Sequence, residues 1–149
     1  MKTPISPVAF DVLKAESFVR GENTLAVIRE MPFDEVAAHL EKGLYAAALS
    51  IVHVHDFGDA LRRSGFPIAH RSRVYEVFNA GVAAKLLSLD PGLAHTLPIR
   101  IAMQDHGGVV TVFTPLPTVL MAEYSHEASV SRLARAIEAA LQRVLWGLP

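Results

Sequence analysis

Hydrophobic positions recur along this chain with periods of two and about four residues, and these periods predict alternating strands and helices. Residues 24–30 form a mostly apolar run that predicts a strand, with residues 17–20 as a candidate strand before it. Residues 32–35 then predict a helix start, because proline fits the first turn and acidic side chains suit the positive end of the helix dipole. The apolar face of this helix repeats at about every fourth position, at Val36, Leu40, Leu44 and Ala47.

The middle of the chain predicts a strand, a short helix, a second strand and a longer helix, over residues 49–55, 59–64, 73–78 and 80–89. Asn79 is placed to cap the longer helix, because its side chain can accept a hydrogen bond from the first turn. Pro91 prevents this helix from continuing. The alternation of strands and helices therefore extends through the first two thirds of the chain.

The last third carries the clearest patterns. Residues 98–104 and 109–114 alternate between apolar and polar, and the segment 105–108 between them ends in two glycines. Glycine tolerates the positive φ of a tight turn, so these residues predict a hairpin. Residues 125–146 predict an amphipathic helix whose apolar stripe fits a core or a subunit contact. The whole pattern favours an α+β fold, in which one antiparallel sheet carries helices on one face, within a single domain over residues 1–149.

Composition narrows the possible chemistry. The chain has 149 residues, of which 51% are hydrophobic and 19% charged, so an intrinsically disordered protein is excluded. It has no cysteine, which excludes a disulfide scaffold, a thiol nucleophile, a cysteine zinc site and an iron–sulfur cluster. The formal net charge of −1 gives no indication of a nucleic-acid partner.

Neither a membrane span nor a secretory signal is predicted. No run approaches 18 consecutive apolar residues, and residues 1–7 lack an apolar core of the kind that a signal peptide has. A cytoplasmic protein with no membrane partner is therefore expected.

The candidate chemistry centres on the predicted strand Ile51-Val52-His53-Val54-His55-Asp56. Because side chains alternate along a strand, His53 and His55 project from one face, whereas Asp56 faces the other way. Two such imidazoles can share a metal ion, or one can ligate a haem iron while the other lines the pocket. Two alternatives remain open, namely a solvated strand face and acid–base catalysis.

A second candidate cluster is basic and comprises Arg62, Arg63, His70, Arg71 and Arg73. Guanidinium groups bind carboxylates and phosphates through paired hydrogen bonds, so Arg71 and Arg73 could hold haem propionates or an anionic substrate. The two arginines share a face if their strand starts early. His70 is the further candidate ligand. The alternative is that the cluster is a solvated loop.

One set of residues resembles a known family. The run Arg73–Ala80, then Ala83–Leu87, Asp90-Pro91 and Leu97-Pro98, is similar to the bacterial domain-of-unknown-function family number 302. Phe33-Asp34-Glu35 and the strand that reaches Asp56 also fit, so the likeness covers about residues 22–120. Where that family usually has two cysteines and a proline, this chain has Phe78, Ile99 and Ala80. A thiol or metal role of those cysteines is therefore absent here.

The resemblance implies a TATA-binding-protein-like α+β fold of the order β-α-β4-α, and a homodimer. It also implies an association with haem, which some relatives have, but no catalytic set. Motifs for phosphate loops, dinucleotide binding, nucleophile elbows and zinc proteases are all absent from the sequence.

Three functions remain open. The first is a homodimeric binding protein that takes haem or another hydrophobic small molecule in an apolar pocket between sheet and helix. The second is an enzyme that uses haem, or a metal held by His53 and His55. The third is a structural interaction module whose apolar excess forms a subunit interface. The first is our prediction.

Overall fold

A computed structural model describes residues 18–149 of the chain. Its strands are β1 (Phe18–Arg20), β2 (Thr24–Arg29), β3 (Ser50–Asp56), β4 (Arg71–Phe78), β5 (Ile99–His106) and β6 (Val109–Pro115). Its helices are α1 (Phe33–Ala46), α2 (Phe57–Arg63), α3 (Ala80–Leu89), α4 (Pro117–Ala122) and α5 (Ala128–Trp146), with a 3-10 helix over Pro91–Thr96. Ser17, which the sequence adds to the first strand, lies outside the described residues.

The six strands form one antiparallel sheet in the order β1-β2-β6-β5-β4-β3. The predicted α+β class is confirmed, and the order β-α-β4-α is present as β2, α1, the strands β3 to β6, and α5. Strand β1 and helices α2, α3 and α4 are additions to this frame. Among residues 18–149, no helix is long and apolar enough to cross a membrane.

One face of the sheet, which we call the helix face, forms the core with the helices. Its strand residues lie side by side in register, for example Val27 beside Val112 and Val112 beside Met103. Each of the three longest helices contributes fully buried side chains to the same core, including Leu40, Leu86 and Leu141. The predicted placement of the helices on one face follows from this shared core.

Local sequence accounts for several element boundaries. Asn79 caps α3, because its side-chain oxygen accepts a hydrogen bond from the backbone N–H of Val82 at 3.0 Å. Gly107 and Gly108 both have positive φ, 65° and 89°, and they close the β5–β6 hairpin as predicted. The Asp105 carboxylate accepts a hydrogen bond from the N–H of Gly108 at 2.9 Å, which fixes the turn.

Two short elements were not predicted. Pro115-Leu116-Pro117 indicates only the end of a strand in the sequence, but Pro117 also begins α4. Proline is well tolerated at a first helical position, because the N–H that it lacks would have no partner within the helix. The 3-10 helix after Pro91 begins in the same way, with Asp90 accepting a hydrogen bond from the N–H of Gly92.

Two buried charged residues connect distant parts of the fold. The Glu138 carboxylate on α5 accepts hydrogen bonds from Arg20 at 2.8 Å and from the Thr118 hydroxyl at 2.7 Å. The Arg29 guanidinium donates to the carbonyl of Leu148 at 3.0 Å. These contacts join the first two strands to α4, α5 and the last residues of the chain.

Candidate functional site

The sheet has a second face, which points away from the core helices. By strand register it carries His53 and His55 on β3, Val74 and Glu76 on β4, and Arg100, Ala102 and Gln104 on β5. None of the seven side chains just named belongs to the hydrophobic core, although Ala26 and Ile28, which lie on the same face at β2, are buried. Chemistry on this face is therefore separated from the core by the thickness of the sheet.

His53 and His55 lie together on the second face, as the two-residue period predicts. Their ring centroids are 4.5 Å apart, with the rings steeply inclined to each other. Nε2 of His55 lies 3.2 Å from a carboxylate oxygen of Glu76 on the neighbouring strand. Nε of Arg100 lies 3.9 Å from the same oxygen, and the His55 ring also stacks on Phe57, with centroids 6.0 Å apart.

This arrangement can hold a ligand through imidazole nitrogen. A carboxylate beside one ring nitrogen fixes the ring and leaves the other nitrogen free to bind a metal ion. Glu76 can fix the His55 ring in this way, because its carboxylate lies beside Nε2. The described part of the chain contains no group of three or more His, Asp and Glu side chains placed to hold a metal ion. A bare metal at His53 and His55 would need further ligands from elsewhere.

His70 also belongs to the second face, but at some distance from the first pair. It precedes β4 and stacks on His106 at the end of β5, with ring centroids 4.6 Å apart. His106 contacts the side-chain oxygen of Gln104 at 3.2 Å. Val74 and Ser72 separate this second imidazole pair from His55 along β4. The structure therefore gives two histidine pairs on one face.

Arg71 and Arg73 lie on the helix face, opposite to the histidines. Strand β4 starts at Arg71, so the two arginines do share a face. Their guanidinium groups stack over the Phe33 ring at 4.1 and 5.2 Å from its centroid. The five predicted binding residues are therefore divided by the sheet, and Arg71 and Arg73 cannot hold the propionates of a haem that His53 or His55 ligates.

The two arginines are also engaged in contacts of their own. Arg71 forms an ion pair with Asp34 at 3.1 Å, which lowers the pKa of that exposed carboxyl group. Arg73 donates to the Tyr75 hydroxyl at 3.2 Å, and this hydroxyl donates to Glu41 at 2.9 Å. Burial raises the pKa of Tyr75 and outweighs the opposing effect of Arg73. These contacts fasten α1 to the sheet.

The described residues enclose a small cavity between the sheet and the helices, where the sequence predicts an apolar pocket. This cavity is lined by α3, α5 and the adjoining strand residues, and its volume of about 10 Å³ holds about one water molecule. Phe78 and Ile99, which replace the two cysteines of the family pattern, both line it. This particular cavity is too small to hold haem.

Glu76 and Arg100 are the residues that sequence reasoning did not join to the site. The period of β4 places Glu76 on the face opposite to Tyr75, which is a signal that the sequence does contain. The pairing of β3 with β4 brings Glu76 to His55, and the pairing of β4 with β5 brings Arg100 to Glu76. Pairing partners cannot be derived from periodicity, because every antiparallel strand has the same period.

The fold and the site together define a class of protein: a single antiparallel sheet with helices on one face and an imidazole pair on the other. A family model described as Domain of unknown function DUF302 matches residues 25–147, and the chain belongs to this family. The crystal structure of an uncharacterized conserved DUF302 protein from Bacillus stearothermophilus is similar, with a TM-score of 0.80 and 19% identity. That likeness covers 87% of this chain and 100% of the other. Among curated proteins, none matches this chain.

Proposed function

We propose that this protein is a non-catalytic binding protein that takes haem on the second face of its sheet, with His55 as the iron ligand and His53 beside it. The observation that carries the proposal is the pair of imidazoles beside a row of apolar side chains on the same face of the sheet. Val74 is the register partner of His55, and Ala102 is the register partner of Val74. An apolar row of this kind can contact the apolar face of a porphyrin.

Arg100 supports the proposal from the adjacent row of the same face. Its side chain is 72% exposed, and it lies beside Glu76 rather than in a tight ion pair. A propionate placed over β5 can therefore pair with this guanidinium group. In this proposal Arg100 takes the role that the sequence suggested for Arg71 and Arg73.

The expected result is that hemin titrated into the purified protein gives a sharp Soret band. We expect His55→Ala to weaken binding at least tenfold, because it removes the iron ligand together with the ring that Glu76 orients. We expect Arg100→Ala to weaken binding severalfold, because it removes a propionate partner. Absorption spectra at several hemin concentrations give both affinities.

The matched controls are His39→Ala, an exposed histidine on α1, and Arg71→Ala on the helix face. Both should bind hemin as the unaltered protein does. If Arg71→Ala weakens hemin binding while Arg100→Ala does not, hemin binds on the helix face and this proposal fails. A wild-type spectrum without a Soret shift would also reject it.

A bare divalent transition-metal ion is the second candidate ligand. It is favoured by one contact, the 3.2 Å approach of Glu76 to Nε2 of His55, which resembles the carboxylate that orients a metal-binding histidine. Two imidazoles on one side of an ion also suit a tetrahedral metal better than haem, whose axial ligands lie on opposite sides of the ring. Calorimetric titration with Zn²⁺ in the absence of hemin separates the two candidates.

The proposal includes a homodimer in the bacterial cytoplasm. Exposed apolar side chains on β3 support a subunit contact, as does the dimer that the family resemblance implies. Light scattering should give twice the mass of one chain, and a monomer at micromolar concentration would contradict the dimer. Cell fractionation tests the location.

A further inference from the structure

A second pair of histidines lies where β4 begins and β5 ends. His70 immediately precedes β4, and His106 is the last residue of β5. Because Arg71 pairs with Asp105, His70 and His106 stand opposite each other one position further along the same two strands. Opposite residues share a face and have Cβ atoms about 4.5–5.5 Å apart. Their rings accordingly stack, with centroids 4.6 Å apart and planes inclined by 24°.

The side chain of Gln104 determines which nitrogen of His106 is free. Nε2 of His106 lies 3.2 Å from Oε1 of Gln104, which precedes it on the same face of β5. An amide oxygen only accepts hydrogen bonds, so Nε2 of the neutral ring donates and Nδ1 carries the lone pair. Metal-binding histidines commonly donate their second N–H to an oxygen in this way. Gln104 therefore orients the His106 ring and leaves Nδ1 available to an ion.

The charged residues beside these two histidines are directed to the other face of the sheet. Asp105 precedes His106, and its carboxylate accepts a backbone hydrogen bond within the β5–β6 turn. Arg71 follows His70 and forms an ion pair with Asp34 at 3.1 Å. Alternation along the strands places both charged side chains on the helix face. Neither of them therefore competes with an ion for the imidazoles on the second face.

We infer that His70 and His106 form a two-imidazole site for a divalent late transition-metal ion such as Ni²⁺, with water in the remaining coordination positions. Imidazole nitrogen suits such ions, whereas Mg²⁺ and Ca²⁺ prefer oxygen ligands. Within residues 18–149, no group of three or more His, Asp and Glu side chains is placed to hold an ion. Zinc sites generally use three or four protein ligands, so a pair of imidazoles with water suits the tetragonal ions Ni²⁺ and Cu²⁺ better.

The two rings need only rotate to share an ion. Two nitrogens bound at right angles to one ion, each at about 2.0 Å, are about 2.8 Å apart. Rings with centroids 4.6 Å apart can bring their nitrogens to this separation. His106 is exposed and His70 is half-buried, so both rings can turn about their Cβ–Cγ bonds while the backbone stays in place.

This site is separate from the first histidine pair. His55 stands beside Val74 on β4, and His70 lies four residues before Val74. At about 3.3 Å per strand residue, the two pairs are about 13 Å apart along the strand. A metal ion binds nitrogen at about 2.0–2.1 Å, so no single ion contacts both pairs. The inference therefore uses neither the haem ligand nor the second candidate ligand of the proposed function.

Calorimetric titration with Ni²⁺ tests the site in a full chain that carries His53→Ala and His55→Ala, which removes the first pair. We expect one Ni²⁺ per chain. Adding His70→Ala or His106→Ala should weaken binding at least tenfold, and adding both should weaken it little further, because a chelate is lost with its first ligand. The matched control is His39→Ala, an exposed histidine on α1, which should leave the affinity unchanged. Additive losses, or an unchanged affinity in either single variant, would overturn the shared site.

Thermal unfolding of the same chain gives a second measurement. An ion held by residues of two strands binds the folded state, so Ni²⁺ at about a hundred times its Kd should raise Tm by about 5–10 °C. The further change His70→Ala should abolish this rise, and Mg²⁺ should cause none. A rise that persists in the His70→Ala chain would place the ion elsewhere and overturn the site.

Hemin titration separates this site from the proposed function. In the otherwise unaltered protein, His70→Ala should bind hemin as the wild type does. Loss of hemin binding in that variant would make His70 a haem ligand and overturn the separate ion site. If the wild type does not bind hemin but Ni²⁺ binds as described, the proposed function fails and the ion site stands.

Discussion

Leu141→Ala is expected to lower the free energy of unfolding by about 3 kcal/mol, which is typical of a fully buried leucine. Leu141 on α5 has no exposed surface and lines the small cavity between the sheet and the helices. Truncating this side chain therefore enlarges the existing cavity, and neighbouring side chains cannot fill the larger space. Urea unfolding followed by circular dichroism measures the change.

Leu87→Ala is the comparison for this variant. Leu87 is also a helical leucine, but it is 39% exposed on α3. We expect its loss to cost less than about 1 kcal/mol, in line with other partly exposed positions. Similar losses for the two variants would show that α5 does not pack on the sheet as described.

Glu138→Gln is expected to lower the free energy of unfolding by about 2 kcal/mol at pH 7, because hydrogen bonds to a charged group are among the stronger ones. Glu138 is 7% exposed and accepts hydrogen bonds from Arg20 and Thr118. Glutamine preserves the shape of the side chain, but its amide group cannot accept the second bond. Urea unfolding at a series of pH values measures the loss.

The pH dependence of this loss has a definite sign. Burial would raise the pKa of Glu138, but the hydrogen bonds from Thr118 and Arg20 outweigh burial and bring the pKa below its ordinary value of 4.5. The unfolded chain therefore binds the proton more tightly than the folded chain does. The stabilisation is complete above about pH 5 and declines as the pH falls through the lowered pKa.

The difference between the unaltered protein and Glu138→Gln should accordingly shrink in acid. Asp34, whose pKa Arg71 lowers, is present in both proteins, so its contribution cancels. Glu123→Gln, at an exposed position after α4, is the control and should follow the unaltered protein throughout. A difference that stays constant from pH 7 to pH 3 would contradict the charged pairing of Glu138.

The helices and the hairpin could be predicted because their signals are local. The apolar stripe of α5 extends over five turns, and Gly107-Gly108 has the positive φ values that the turn requires. Helix α4 was missed because six residues are too few to show a helical period. The order of the strands in the sheet could not be predicted from the sequence either. For instance, β2 pairs with β6, which lies about eighty residues further along the chain.

The candidate site could likewise be predicted from the sequence only in part. The spacing of His53 and His55 was sufficient to place them on one face, because alternation is a property of the strand alone. The spacing also separates His70 from Arg71 and Arg73, which lie at odd distances of one and three residues from it. The register of β3 with β4 decided which of these groups the first histidine pair joins. In the basic cluster of the sequence, His70 therefore contacts His106 on the second face, whereas Arg71 and Arg73 contact Phe33 on the helix face.

By itself, the sequence determined the class of fold, most of its elements and the shared face of His53 and His55. These depend on backbone geometry within a few residues. Only the tertiary structure decided the small volume of the cavity beside α3 and α5, the contact of Glu76 with His55, and the position of β3 as the last strand of the sheet formed by residues 18–149. Each of these depends on which distant segments meet, and packing across the whole core selects those segments.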